Sequence, residues 1–311
     1  MDSIERNDPL RALVVNHGEN GPVRFADVEE PEPSAGEALV EIRHIGLNFG
    51  ELKYAAQWPE GAIHGHDASG VVVRAAADGS GPPVGARVAL GMAPYAWAQR
   101  VAVGPAWLGV VPDNVALTEA AALGIAGVTA LRVLRTRALL AREVLITGAS
   151  GGVGHFAVQL AALAGARVTA LVGSPARSAG LTELGADDVV TDLSTVDTRF
   201  DLVLDTVGGP TLVDTWNLLA EGGAVHLVGI SSGQEAAFPA GSLFGFGAPR
   251  TIATFGDTSP PHQELTDLLR LLAAGTLSAP IGRRGEWTEV NDAANDLFAR
   301  RIHGKIVLDV S

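Results

Sequence analysis

No part of the 311-residue chain constrains its fold more than Val144–Gly154, VLITGASGGVG. Val144 to Thr147 are apolar or β-branched and read as a buried strand. Gly148, Gly151, Gly152 and Gly154 break that strand, and FAVQLAALAG follows as an apolar helical face that closes at Gly165. Glycine at these places allows a tight turn, exposes bare amides, and lets the helix pack close to the strand. A helix that begins there offers unpaired N–H groups and the positive end of its dipole, which suits a pyrophosphate. The spacing Gly148-x-x-Gly151-x-x-Gly154 is a variant of the G-x-G-x-x-G dinucleotide fingerprint. Taken alone it also fits a glycine loop that binds nothing.

The segments around this stretch repeat its logic. After it come ARVTALV as a second strand, PARSAGLTELG as a helix ending at Gly185, ADDVV and FDLVLDTVG as further strands, PTLVDTWNLLAEGG as a helix, and AVHLVGI as a fifth strand. Strands alternating with helices at short intervals predict a doubly wound parallel sheet. Before it, from Leu10 to Val115, the runs RALVV, EALVEIRHIGL, ASGVVVRAA, ARVAL and AQRVAV are separated by Pro and Gly clusters and predict a compact, mainly β unit. The helical spacing of TEAAALGIAGVTALRVLRTRALLA, from Thr118, marks the boundary. The tail predicts a helix near HQELTDLLRLLAAG, another from Thr288 to Arg300, and a last strand, GKIVLDV, returning to the first unit. The expected fold is α/β, with a mainly β domain of residues 1–117 and 257–311 and a doubly wound domain of residues 118–256.

Charge and composition narrow the partners. The net charge of −13 argues against nucleic acid or an anionic membrane, because phosphate surfaces reward clustered Lys and Arg. No apolar run approaches the roughly 20 residues needed to span a bilayer, and the N-terminus, MDSIERNDPL, is charged rather than leader-like, so a cytoplasmic protein is expected. The absence of cysteine excludes disulfides and every thiolate metal site.

Six motifs occur in an order that resembles the zinc-free, quinone-oxidoreductase-like branch of the medium-chain dehydrogenase/reductase superfamily. They are Gly46-Leu47-Asn48-Phe49, Gly65-His66-Asp67-Ala68-Ser69-Gly70, Ala126-Gly127-Val128-Thr129-Ala130-Leu131, the cradle from Gly148 to Gly154, Asp205-Thr206-Val207-Gly208-Gly209, and Gly304-Lys305-Ile306-Val307-Leu308. The resemblance covers nearly the whole chain. It implies a GroES-like catalytic domain, a Rossmann domain, and NADPH in the cleft between them. Zinc-containing relatives carry Cys and His where this chain has Asn48 and His66. His64 and His66 alone do not make a catalytic zinc site, which takes three protein ligands, so no metal is expected. Without a Lewis acid the implied chemistry is hydride transfer to a conjugated acceptor, a quinone or an α,β-unsaturated carbonyl, whose developing charge is delocalised.

The resemblance and the cradle together assign residues. Ser150, Gly151, Gly152 and Val153 are expected to hold the pyrophosphate. Gly173, Ser174 and Arg177, at the end of the second strand, offer a hydroxyl and a guanidinium where NAD enzymes carry an acid, which favours the 2′-phosphate of NADPH. Asp192 departs from this, standing where relatives often have a Tyr near that phosphate. Asn48 and Thr129 match positions near the nicotinamide, and Val207, Val228, Gly229 and Phe255 match the ribose and ring path. Tyr54 is the candidate acid or substrate-orienting group, with Asn48 beside it, and Lys305 is expected to be structural. Trp58, Trp97 and Trp107 suit core packing or the wall of a planar substrate pocket. SLFGFGAPR, Ser242–Arg250, suits a substrate loop or a dimer contact, and pairing of an edge strand near Thr251–Phe255 implies a homodimer. A carbonyl reductase, a biosynthetic enoyl reductase, and a non-redox binding protein are the other readings.

Overall fold

The computed structural model describes residues 9–311; Met1–Asp8, the start of the charged stretch MDSIERNDPL, lies outside the described residues. In chain order the first elements are β1 (Leu10–Val15), β2 (Val23–Val28), β3 (Ala38–Leu47), α1 (Phe49–Lys53), β4 (Asp67–Arg74), β5 (Arg87–Leu90), β6 (Arg100–Val103), β7 (Leu108–Val110), α2 (Leu117–Ala121) and α3 (Gly124–Leu134). The middle of the chain gives β8 (Glu143–Thr147), α4 (Gly152–Leu163), β9 (Arg167–Leu171), β10 (Asp188–Val190), β11 (Phe200–Asp205), α5 (Pro210–Asn217), β12 (Leu219–Leu227) and β13 (Thr251–Thr254). It closes with α6 (His262–Ala273), β14 (Ile281–Glu286), α7 (Val290–Phe298) and β15 (Lys305–Asp309).

The middle strands form one six-stranded sheet in the order β10-β9-β8-β11-β12-β13, and all of its pairings are parallel. This is the expected doubly wound sheet, and its topology places the carboxyl ends of β8, β9, β11 and β12 along one crevice. A seven-stranded sheet joins β3–β7 to β14 and β15, because β15 pairs antiparallel with β3, Ile306 opposite Leu47. The tail thus returns to the first sheet, as GKIVLDV predicts. The core follows the two sheets, one cluster around Phe156, Ile146 and Leu204 and another around Trp97, Trp287 and Ile45.

Three predicted helices end differently, each for a local reason. The helix from Thr118 is two helices, α2 and α3, because the Asp67 carboxylate accepts the Ile125 N–H at 2.8 Å and caps a new N-terminus there. The PARSAGLTELG helix is a single 3-10 turn, Pro175–Arg177, since Gly180 adopts φ +79°. The PTLVDTWNLLAEGG helix stops at Asn217, and Leu219 already pairs with Phe200 as the start of β12. The strands β2, β7 and β14 carry no clear period-two signal and are additions to the sequence reading.

Candidate active site

The turn after β8 is shaped by backbone demands. Gly148 sits at φ +60°, and a Cβ there would stand 2.2 Å from Thr206 Oγ1. A Cβ on Gly154 would stand 2.4 Å from the Gly148 carbonyl oxygen. Only glycine satisfies both, so α4 starts with bare amides facing the crevice. Residues 304–305, coming from the other sheet, dock directly on this turn: the Gly304 N–H donates to the Ser150 carbonyl at 2.9 Å. The buried Asp205 accepts the N–H groups of Val207 at 2.9 Å and Gly208 at 3.2 Å, which fixes the turn after β11.

A cavity of about 1230 Å³ runs between the sheets. Of the site residues predicted from sequence, Asn48, Tyr54, Ser150, Gly151, Gly152, Val153, Gly173, Ser174, Arg177, Val207, Val228 and Gly229 line it. Thr129 and Phe255 are not on its lining. Thr129 is buried in α3, and Phe255 is half-buried against the core. The three tryptophans do not line it either: Trp97 is fully buried in the core, Trp107 packs against it, and Trp58 stands beside His64 and His66. The crevice, the bare amides and the row of carboxyl strand ends fit a dinucleotide, with the 151–153 amides placed for its pyrophosphate.

At the β9 end the wall is basic. Arg177 donates to Ser150 Oγ at 2.8 Å, to the Arg300 carbonyl at 2.5 Å and to the Ile302 carbonyl at 2.7 Å, so it braces the cradle against the C-terminal segment. Arg300, at φ +59°, lays its guanidinium 4.6 Å from the centre of the Phe49 ring and donates to the Ser231 carbonyl. Burial, and for Arg177 the charge of Arg300, lower both guanidinium pKa values. His155 is buried with an unpartnered Nδ1, and burial with the nearby His303 and Arg177 lowers its pKa to about 4. None of Arg177, Arg300, His155 and His303 has a carboxylate partner among the described residues. Asp192 is turned away from this group: it is exposed and accepts the Ser194 N–H at 2.8 Å as a helix cap.

At the other end the wall is a closed network. The Asn48 amide nitrogen donates to Glu51 Oε2 at 2.8 Å and to Asp67 Oδ2 at 2.7 Å, while its oxygen accepts from Lys305 Nζ at 2.6 Å. Lys305 Nζ also donates to the Leu47 carbonyl at 3.1 Å and lies 3.4 Å from Asp67 Oδ2. His66 Nδ1 bonds Glu51 Oε1 at 2.8 Å. Burial opposes the charge on Glu51, but hydrogen bonds from His66 and Asn48 and the charges of His66 and Lys305 outweigh it and lower the Glu51 pKa. Burial likewise opposes the charged His66, yet Glu51 and Asp67 raise its pKa. Burial and the Glu51 charge raise the Asp67 pKa against Lys305, Asn48 and the Ile125 N–H. Lys305, expected from sequence to be structural, therefore touches both the cradle and this network. Tyr54 is half-buried on the lining, and its hydroxyl has no hydrogen-bond partner among the described residues. Glu51, Arg300 and His303 carry no motif signal in the sequence beyond the spacing Asn48-x-x-Glu51, that of a capping box.

Fold and site together define an oxidoreductase of the nicotinamide-dinucleotide class. Residues 34–131 match the alcohol dehydrogenase GroES-like domain, and residues 152–274 match the zinc-binding dehydrogenase family. The chain is 29% identical over 311 residues to a quinone oxidoreductase of Pseudomonas aeruginosa, covering 92% of this chain and 95% of that protein. It is 34% identical over 297 residues to erythronolide synthase EryA2 of Saccharopolyspora erythraea, covering 91% of this chain but only 8% of the synthase. The Escherichia coli quinone oxidoreductase complexed with NADPH shares the fold, with a TM-score of 0.83 at 22% identity over 96% of this chain and 99% of that one. The chain belongs to the medium-chain dehydrogenase/reductase superfamily and is quinone oxidoreductase-like.

Proposed function

We propose that this protein is a zinc-independent, NADPH-dependent reductase of conjugated acceptors, an α,β-unsaturated carbonyl or a quinone. The observation that carries this reading is the single cavity that joins bare cradle amides, a basic rim without acids, and the Asn48–Tyr54 wall. Nicotinamide, when bound, supplies the hydride. The amides of Gly151, Gly152 and Val153 hold the pyrophosphate at the start of α4. Arg177 supplies positive charge for the 2′-phosphate and His303 a ring N–H, burial and the Arg177 charge holding the His303 pKa below its ordinary value, and the outward turn of Asp192 removes the acid that stood against it. Tyr54 is the free hydroxyl on the wall, and its role is to orient the acceptor oxygen and hold or give a proton there. Zinc independence is supported by the absence of cysteine and by the commitment of Asn48 and Glu51 to each other and to Lys305 and His66.

The likeness to erythronolide synthase favours a second reading, an enoyl reductase acting on a thioester intermediate, which uses the same site and the same hydride chemistry. A homodimer also belongs to this reading: β13 is an edge strand, and Leu243, Phe244 and Phe246 beside it are 59%, 78% and 96% exposed. The test is NADPH consumption with a conjugated enone and its saturated ketone in parallel, in the presence of a zinc chelator and with products identified. Reduction of the enone carbon–carbon bond alone is the expected result. Reduction of the ketone carbonyl, or loss of activity with the chelator, overturns the reading.

A further inference from the structure

Asn48 and the buried charges behind it, Glu51, Asp67 and Lys305, have no free N–H to offer a ligand. Both Asn48 amide hydrogens are taken by carboxylates, and its oxygen is taken by Lys305. The three Lys305 N–H groups face Leu47, Asn48 and Asp67. Asp67 accepts from Asn48, Ile125 and Lys305, with no acceptor in this set for a carboxyl proton, so it is held as the carboxylate. Glu51 and Asp67 are 4% and 0% exposed, and Lys305 is 3% exposed. Glu51, Asp67 and Lys305 act on a neighbouring ligand through their field, because the donors among and between them are already directed inward; His66 Nδ1 is bonded to Glu51, and only its Nε2 has no partner among the described residues.

The position of Lys305 says which ligand. Its side chain passes over the cradle, where a Cβ on Gly152 would stand 2.9 Å from Lys305 Cδ, and ends on the Asn48 wall. A dinucleotide seated on the cradle therefore lies alongside it. The oxidised and reduced nicotinamides have nearly the same shape and differ by one positive charge on the ring, so a fixed field is the means by which side chains already bonded to one another distinguish them. We propose that the Glu51–His66–Asp67–Lys305 cluster sets the relative affinity of the protein for reduced and oxidised nicotinamide cofactor, with Lys305 disfavouring the oxidised form and Asp67 favouring it. The inference rests on the nicotinamide reading above and is independent of which acceptor is reduced.

The test is the ratio of the Kd values for NADP⁺ and NADPH, measured by titration at pH 6.5 on folded protein. A unit charge within roughly 10 Å in a partly buried site changes affinity on the order of tenfold. Lys305→Met is expected to lower the ratio about tenfold and Asp67→Asn to raise it about tenfold. Lys305→Met/Asp67→Asn, which restores the charge balance, and Lys305→Arg are expected to stay within about threefold of the wild type. If Lys305→Met does not fold, Asp67→Asn and the double variant carry the comparison. Equal weakening of both cofactor forms, or shifts of the same sign in the two single variants, would show a mere brace and overturn the proposal. A wild type that binds neither form removes the cofactor reading and this proposal with it, whereas normal wild-type binding with an unchanged ratio in the variants removes the proposal alone.

Discussion

The two ends of the cavity handle charge in opposite ways. At the β9 end, Arg177, Arg300 and His303 gather on the lining with no acid partner among the described residues, in a chain whose net charge is −13. At the Asn48 end, Glu51, Asp67, His66 and Lys305 balance one another through bonds of 2.6–3.4 Å. A buried charge left alone costs several kcal/mol, so such groups are paired, whereas basic groups at a rim gain by meeting an anion. On the proposed reading the first end is completed by an anionic ligand, whereas the charges at the second already balance one another.

The sharpest way to break this picture is to fill the cradle on which both ends depend. Gly154→Val drives a side chain into the Gly148 carbonyl and the Ala149 backbone. A loss of NADPH affinity of more than about 100-fold is expected by titration, in proportion to the several kcal/mol a sub-van-der-Waals contact with backbone costs. Unchanged affinity would mean that the cradle does not hold the cofactor. Tyr54→Phe, which removes the free hydroxyl from the Asn48 end, is expected to lower kcat on an enone about 100-fold, with the Kd for NADPH unchanged. A change in Kd alone would reassign Tyr54 to cofactor binding.

Arg177→Ala tests the incomplete end. About a tenfold weakening of NADPH is expected, the scale of one charge-assisted hydrogen bond, against a loss of less than about threefold for NADH. Equal losses would leave Arg177 as a structural brace on Arg300 and Ile302. The smallest expected effect is on stability. His66 is raised above its ordinary value of 6.5, so its contribution is fully present below that pH and is lost as pH rises through the higher folded value. The groups that face it are Glu51 and Asp67, with His64 and Trp58 beside the ring. Thermal melts across that window are expected to fall by about 2 °C in the wild type, a slope that His66→Gln removes.

How much of this was legible in the sequence differs between the two ends as well. The cradle was readable because backbone conformation dictates residue type: Gly148 and Gly154 have no substitutes at their angles and contacts. The parallel sheet followed from alternating apolar runs, and the return of GKIVLDV to the first sheet from a strand with no helix after it. The Asn48 network is legible only in its Asn48-x-x-Glu51 spacing, because Asp67 joins it when β4 pairs with β3, and Lys305, 257 positions from Asn48, when β15 pairs with β3. The break between α2 and α3 was hidden for the same reason, since its cause, Asp67, lies on β4. Thr129 and Phe255 were placed by motif alone, and motif gives a position on an element without the direction its side chain takes.

Completion of the basic rim by the 2′-phosphate of the cofactor is tested most directly by titrating the wild-type protein with NADPH and with NADH under the same salt. Tighter binding of NADPH by about 100-fold is expected, the scale of two charge-assisted contacts to that phosphate alone. Equal affinity for the two dinucleotides would contradict the claim and leave Arg177 and Arg300 as braces between the cradle and the C-terminal segment.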